Sequence, residues 1–396
     1  MAITGIGDAR TPATPAEVTF AADTGQPNAT QEILLIGKRA ASGGTATNYV
    51  AETISNSGDA VAAAAEVVTK FGTDSEIGKM VLAAVKANAG SSNFPQIKAM
   101  CLANADTNLT SALAGALNLK AEFVVSPFDG VSGAALSPSA IALRTHCNTV
   151  SGATRTANNQ FGSMGVVFNR SVADPANLPT GDSQFLIGCW LPDAGSPTYS
   201  IGEMAAAAAA VMAANAIPFN PLDDVTLQNV AVPANKALWP SVGDNAQSET
   251  CLQKGWTPLY VKPSLEVAFV RTITMRLSVD GTGTPVVNSY YDVQDFQVLY
   301  YWRKTVYTRL KQPDFKKKAS GAVADRMKAE LIRLAGAFED QEMFQAVAQL
   351  AKTFIVQRVS TDRHAFEIKT PVNVVPGLHR KKVNIEATTE FDTIIA

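Results

Sequence analysis

The side chains best suited to chemistry at neutral pH in this 396-residue chain are three histidines, His146, His364 and His379, and four cysteines, Cys101, Cys147, Cys189 and Cys251. Imidazole titrates near pH 7 without help, and a cysteine thiolate is a ready nucleophile. Their spacing argues against both uses. His146 abuts Cys147 inside a helical stretch, where consecutive side chains point in different directions and form no dyad. His364 sits beside a turn and His379 in a basic stretch, places suited to solvation or a local hydrogen bond. The cysteines fit neither a Cys-x-x-Cys metal pattern nor a dense disulfide framework, and three lie in apolar runs, as buried thiols do. A reducing compartment is the expectation.

Motifs that hold phosphates, metals or acyl groups are missing as well. The first strand ends in Ile36-Gly37-Lys38-Arg39, with Gly43 and Gly44 leading into a polar loop, so neither a phosphate loop nor a dinucleotide fingerprint follows it. Gly162-Ser163-Met164-Gly165 lacks the spacing of a nucleophile elbow. His-x-x-x-His and EF-hand spacings are absent. No catalytic, cofactor or metal residue is therefore assigned. An α/β sheet still carries a generic ligand site at the carboxyl ends of its strands, which keeps a small-molecule-binding α/β enzyme as the alternative function.

Charge and composition point toward covered surface. Charged residues are 17 % and hydrophobic residues 46 %, with much alanine, so the surface is lightly charged. An alanine-rich soluble enzyme would share that composition. Residues 1–300 hold 16 Lys+Arg against 24 Asp+Glu, a balance of −8, while residues 301–396 hold 17 against 11, a balance of +6. The two ends are thus expected to face different partners. Basic residues interleave with acids and follow no nucleic-acid motif, so no direct nucleic-acid partner is expected. The N-terminus lacks a secretory pattern, and the longest apolar run, Met204 to Ala214, is too short to cross a bilayer.

The elements fall into four stretches. Residues 1–30, with an alternating patch at Val18 and Phe20, read as an extended arm. Residues 31–220 alternate strands and helices. Strands are expected at 33–37, 99–102, 122–126, 164–168 and 185–191, and helices at 58–71, 75–88, 107–117, 138–150 and 201–216. That order predicts a three-layer α/β domain around a mainly parallel sheet. Residues 221–382 read as a mixed α+β domain. A connecting segment (221–239) leads to strands at 259–261 and 265–275, helices at 293–310 and 322–339, and a strand pair at 354–358 and 365–369. Val323, Met327, Leu331, Leu334 and Phe338 make an apolar stripe at helical spacing. Lys316, Lys317 and Lys318 precede that helix and Arg326 and Lys328 lie on it, forming either a docking surface for an acidic partner or a solvated helix face.

Residues 383–396 close the chain as a strand. Val383, Ile385, Ala387, Phe391 and Ile395 fall on one face with Thr389 and Thr393, and Asn384, Glu386, Thr388, Glu390 and Asp392 on the other. Pro376-Gly377 and the Arg380–Lys382 run set it apart from the last compact element. A detached strand of this kind has a reason to pair with another copy of the chain.

In order along the chain, several segments resemble the tail sheath proteins of contractile-tailed phages, especially the Mu-type family. Ile33–Gly37 resembles the family's opening strand. Phe71-Gly72-Thr73-Asp74-Ser75 with Gly78-Lys79-Met80 resembles its "FGxGS…M" stretch, and Phe123–Asp129 its strand-Pro-aromatic-Asp segment. Ser196-Pro197-Thr198 before the alanine helix is similar too. Ile217–Leu222 stands where the family has a "DPARPL"-like link, without the link's acidic and arginine residues. Gly255–Leu259 with Val270–Thr274 resembles a strand pair of the family. Glu330-Leu331 and Phe354–Arg358 match a helix and a "LIVER"-like strand, and Pro371–Leu378 a proline-bearing connector.

The resemblance implies a noncatalytic polymer subunit with a subtilisin-like α/β fold and no catalysis. It implies stacked sixfold rings around an inner tail tube, exchanged terminal arms, and contraction that drives the tube through a host envelope. It places the α/β domain outward and the C-terminal half on the tube. The implied partners are further copies, the tube protein, the baseplate and the tail terminator. The implied place is the virion tail, assembled in the host bacterial cytoplasm, with no membrane insertion.

Overall fold

The computed structural model describes residues 31–55, 58–89, 91, 93–151, 162–192, 198–217, 219–233, 245–277, 292–312, 315, 320–360 and 366–378. The strands are β1 (Glu32–Lys38), β2 (Ala51–Thr53), β3 (Gln96–Leu102), β4 (Phe123–Asp129), β5 (Val131–Ser132), β6 (Ala135–Leu136), β7 (Met164–Asn169) and β8 (Leu186–Trp190), then β9 (Thr226–Ala231), β10 (Trp256–Val261), β11 (Glu266–Phe269), β12 (Ile355–Arg358) and β13 (Phe366–Lys369). The helices are α1 (Ala60–Phe71), α2 (Glu76–Ala87), α3 (Thr110–Ala116), α4 (Pro138–Ser151), α5 (Ile201–Ala214), α6 (Asn245–Gln253), α7 (Val293–Leu310), α8 (Gly321–Glu339) and α9 (Val347–Leu350).

Among the described residues nine strands form one sheet, ordered β2-β3-β1-β4-β7-β8-β10-β11-β9. The six strands from β3 to β10 run parallel. β2 pairs antiparallel with β3, and β11 pairs antiparallel with β10 and β9. In β1 the side chains alternate between two cores: Ile33 and Leu35 pack with α1, α2 and α5, while Leu34 and Ile36 pack with α3 and α4. Both faces are dry, so the strand is a continuous apolar run. Each such buried side chain contributes roughly 1.5–3 kcal/mol.

The alanine helix α5 is buried on every side from Met204 to Ala213. Alanine suits that place because it has the best helix propensity and lets a helix approach its neighbours closely. Ser200 and Glu203 close its start as a reciprocal capping box. Between α1 and α2, Gly72 takes φ +83°, and a Cβ there would lie 2.8 Å from that of Ala40. Ser75 then caps α2 through its hydroxyl, which accepts from Gly78 N.

The mixed α/β class holds, and the structure shifts several details. The sheet does not stop at residue 220, where a change to α+β structure was expected. β9, β10 and β11 extend it, with β10 parallel to β8. β9 lies in the segment that the sequence reads as a connector, because Thr226–Ala231 alternates poorly, two of its residues being exposed polar side chains. The strand expected over 265–275 ends at Phe269. Beyond it the Thr257 hydroxyl bridges Ile273 N and O, at 3.0 Å each, in place of a ladder. The polar helix α6 carries little apolar periodicity and was not foreseen.

A second core forms around α7 and α8. It holds Phe219, Tyr301, Trp302, Leu331, Leu334, Phe338, Phe344 and Phe354. Tyr301 stacks on Phe338 at 5.3 Å and Trp302 meets Phe344 edge-on at 5.3 Å. The hairpin β12–β13 packs on this core through Val356 and Ile368.

Candidate assembly surfaces

The generic ligand place of the sheet is filled by the protein itself. The chain leaves β1 toward β3 and leaves β4 toward β7, so the crevice belongs between the carboxyl ends of β1 and β4. There Gly37 lies against Ile77 and Met80 of α2, and Gly202 of α5 lies against Met80 and Pro127. Lys38 N donates to the Glu76 carboxylate at 2.9 Å, and Ser200 N to that of Glu203 at 2.8 Å. An anion entering at these helix starts would meet carboxylates already seated. A groove of about 720 Å³ runs along α4 past Ile141, Arg144, Leu178 and Lys254, and among the described residues its lining holds no His, Cys or carboxylate.

His146 and Cys147 are both buried. Burial lowers the imidazole to about 4 and pushes the thiol far up, so both are neutral at physiological pH. Burial likewise raises Cys101 to about 11 and Cys189 to about 12. Among the described residues no group of His, Cys, Asp and Glu is placed to hold a metal ion, and no helix is long and apolar enough to cross a membrane.

The segments that carry the resemblance turn out to be joints of the fold. Asp129 accepts from Val131 N and from the Asn169 amide. Trp256 donates its indole N–H to Pro179 O at 2.7 Å, and Arg271 grips Asp292 with two bonds of 2.8 and 2.7 Å. Glu330 receives Arg309 and Arg333, whose hydrogen bonds hold its carboxyl below the usual range, Arg333 contributing most.

Sheet edges decide where another strand could add. At one end of the large sheet β2 has three residues, and the Glu66 carboxylate takes Ser55 N just beyond it. At the other end Asn229 in β9 has φ +59°, and its carbonyl accepts from the Tyr199 hydroxyl at 2.6 Å. Both edges are blunted. The β12–β13 hairpin differs. Among the described residues neither of its outer edges carries a backbone hydrogen bond, and Ile355 is 40 % exposed.

Of the expected site residues, Val18, Phe20, Val383, Ile385, Ala387, Phe391 and Ile395 lie outside the described residues, as do Lys316, Lys317 and Lys318. Arg326 and Lys328 lie on α8, the first exposed and the second half-buried. They do not share a face: two residues on a helix turn the side chain by about 200°. Arg326 instead shares its face with Arg333, seven residues on.

What the sequence concealed is the joint between the two cores. α7 belongs to both, Val293, Phe296 and Tyr300 to the sheet core and Val298, Tyr301 and Trp302 to the second. Its sheet-facing side turns polar after Phe296. Gln297 donates to Gln31 Oε1 at 3.0 Å and to Met212 O at 2.7 Å, and Arg303 to Ser151 O at 3.1 Å. Lys304 pairs with Glu122 at 3.4 Å, yet burial outweighs that cation and raises the Glu122 carboxyl. A polar residue at 1 % exposure, as Gln297 is, gives no periodic signal in the sequence.

No protein-family model matches the sequence, and no curated protein matches it. Solved structures do. A sheath tail protein from Listeria innocua superposes with a TM-score of 0.63 at 10 % identity, over 90 % of this chain and 94 % of that one. A sheath tail protein from Desulfitobacterium hafniense gives 0.59 at 11 %, over 89 % and 95 %. A chain of the 6-fold symmetrised baseplate of the anti-feeding prophage gives 0.60 at 12 %, over 91 % and 94 %. The class is thereby defined: this chain has the mixed α/β fold of those sheath tail proteins, over nearly its whole length.

Proposed function

We propose that this chain is the subunit of a contractile tail sheath of the Mu type. The observation that carries the reading is the likeness to two sheath tail proteins over about nine-tenths of both chains. At this identity the likeness supports the fold, and the sequence resemblance supports the role. The sheet with its helices lies outward, and the α7–α8 core with β12–β13 faces an inner tube. The boundary between them falls after β11 rather than at residue 220. Residues 1–30 and 383–396 are arms exchanged between copies, and the β12–β13 hairpin is their acceptor, because among the described residues its outer edges carry no backbone hydrogen bond, whereas those of the large sheet are blunted. An added strand supplies backbone hydrogen bonds and a side-chain register. Head-to-tail contacts that do not close then give a helical array of stacked sixfold rings.

Contraction draws on stored energy: the extended lattice is metastable, and shortening increases contact between subunits while the arms keep them linked. A sheath found only in the short form at every stage of assembly would contradict this. Lys316, Lys317, Lys318, Arg326 and Lys328 hold the extended sheath on an acidic tube, and their reversal to glutamate is expected to abolish assembly on the tube. The tail also meets baseplate and terminator proteins, in a virion assembled in the bacterial cytoplasm.

The test is the mass of residues 1–382 in sedimentation. A folded monomer is expected. Polymers that persist without the last fourteen residues would overturn the arm assignment.

A further inference from the structure

Most polar contacts that seat α7 on the sheet join groups whose charge is fixed around neutral pH. Gln297 reaches Gln31 and Met212, the Tyr300 hydroxyl donates to that of Ser151 at 3.3 Å, and Arg303 donates to Ser151 O. Glu122 is different. Its backbone is pinned where β1, β4 and β7 begin: its N–H donates to Glu32 O at 2.9 Å, and its carbonyl accepts from Met164 N at 2.8 Å. The residue therefore stays with the sheet if α7 moves. One carboxylate oxygen accepts from Glu32 N at 2.7 Å, and the other faces the Lys304 ammonium of α7 at 3.4 Å. Charge-assisted contacts run at about 2.7–2.9 Å, so Lys304 offsets the charge incompletely. Glu122, Gln31, Phe219, Gln297, Tyr300 and Lys304 share a cavity of about 10 Å³, room for one water at most.

We propose that Glu122 is a proton-controlled latch on the joint: protonated, it lets α7 seat tightly on the sheet, and ionised, it loosens that seat. Among the described residues, the groups facing it are named by element. β1 brings the Glu32 carboxylate, which pairs with Lys98 of β3, and α7 brings Lys304 with the phenols of Tyr300 and Tyr301, which burial keeps neutral. An ionised Glu122 thus has one backbone donor, one distant cation, a second carboxylate nearby and no space for a hydration shell. Lifting α7 admits water to it, whereas a neutral acid gains little from that water. Burial raises the carboxyl, with Lys304 opposing and the Glu32 charge adding. A group raised in the closed joint holds it shut when protonated. That hold is complete below the ordinary carboxylate range and is lost as pH climbs through the elevated value. Acid therefore tightens the joint and rising pH loosens it. On the sheath reading, on which this consequence alone rests, the latch sets how freely the two regions tilt as the lattice shortens.

The test is hydrogen exchange of the full chain at a concentration where it is unpolymerised, corrected for the intrinsic rate at each pH. The protection of α7 is divided by that of α2, which lies in the sheet core and holds none of the joint's contacts. From about pH 5 to about pH 8 this ratio is expected to fall about fivefold, the order of one hydrogen bond. Glu122→Gln, neutral throughout, should keep the ratio at its acid value. Lys304→Gln removes the opposing cation and should move the fall to higher pH, and it decides if Glu122→Gln does not fold. A flat wild-type ratio overturns the proposal, and so does a fall that persists in Glu122→Gln or stays in place in Lys304→Gln. A ratio that rises with pH overturns it too, since the ionised pair would then be what closes the joint. Exchange is read on single chains, so its failure is separate from any failure of the sheath reading.

Discussion

The nine-stranded sheet and the α7–α8 core solve the same problem differently. In the sheet both faces are covered, both edges are shut, and helix starts are sealed by their own carboxylates. The second core is small, aromatic and attached through polar contacts, and among the described residues its hairpin carries no backbone hydrogen bond on its outer edges. A two-stranded sheet is marginal alone. The contrast sets a sheet region covered on both faces against an α7–α8 region whose hairpin, among the described residues, is less enclosed.

Truncating the aromatic cluster should separate the two regions most sharply. Phe338→Ala removes a ring packed on Tyr301, Trp302 and Phe344. It is expected to cost about 3–5 kcal/mol. In denaturant, the tryptophan signal of Trp302 should then be lost before the sheet unfolds, whereas a single coincident transition would mean that the two cores act as one.

Overpacking the sheet region comes next. Ala208→Leu in the fully buried α5 should cost about 1–3 kcal/mol. It should lower the final sheet transition and leave polymer geometry unchanged in whatever fraction folds.

The joint is more finely balanced. Burial raises the Glu122 carboxyl, with Lys304 opposing and the Glu32 carboxylate adding to the rise. A raised acid favours the fold when protonated. Its contribution is therefore present in acid, below the ordinary carboxylate range, and is lost as pH climbs through the elevated value. Glu122→Gln should thus match or exceed the wild type at pH 7 by up to about 1 kcal/mol, the worth of one hydrogen bond. The advantage should vanish in acid. A loss of stability at pH 7 would show that the Lys304 pair outweighs burial.

Smallest of all, Arg333→Gln on the exposed side of α8 should shift stability by no more than about 0.5 kcal/mol, as surface pairs do. Glu330 keeps Arg309 at 2.7 Å. A larger loss, read by chemical denaturation, would make that ion cluster a structural element of the second core.

How much of this was legible in the sequence follows from the kind of signal each part emits. The buried strands announced themselves as apolar runs, Ile33–Ile36 and Phe123–Val125 among them, and α7 was placed over Val293–Leu310 without error. Capping chemistry fixed the start of α2 at Ser75. β9 and α6 were lost because edge strands and polar helices carry weak periodicity. The continuation of the sheet through β10 was lost because pairing partners are not written locally: Trp256–Pro258 pairs with Gly188–Trp190, some seventy residues away. The alternation that the sequence reads as arm strands falls outside the described residues. The polar joint arises only when distant segments meet.

The most direct measurement is negative-stain electron microscopy of the full chain over a range of concentrations, beside residues 1–382. The full chain should give hollow cylinders or stacked sixfold rings above a threshold concentration, and the shortened chain single particles throughout. Uniform small particles from the full chain at every concentration would contradict a self-completing subunit and return attention to the groove along α4.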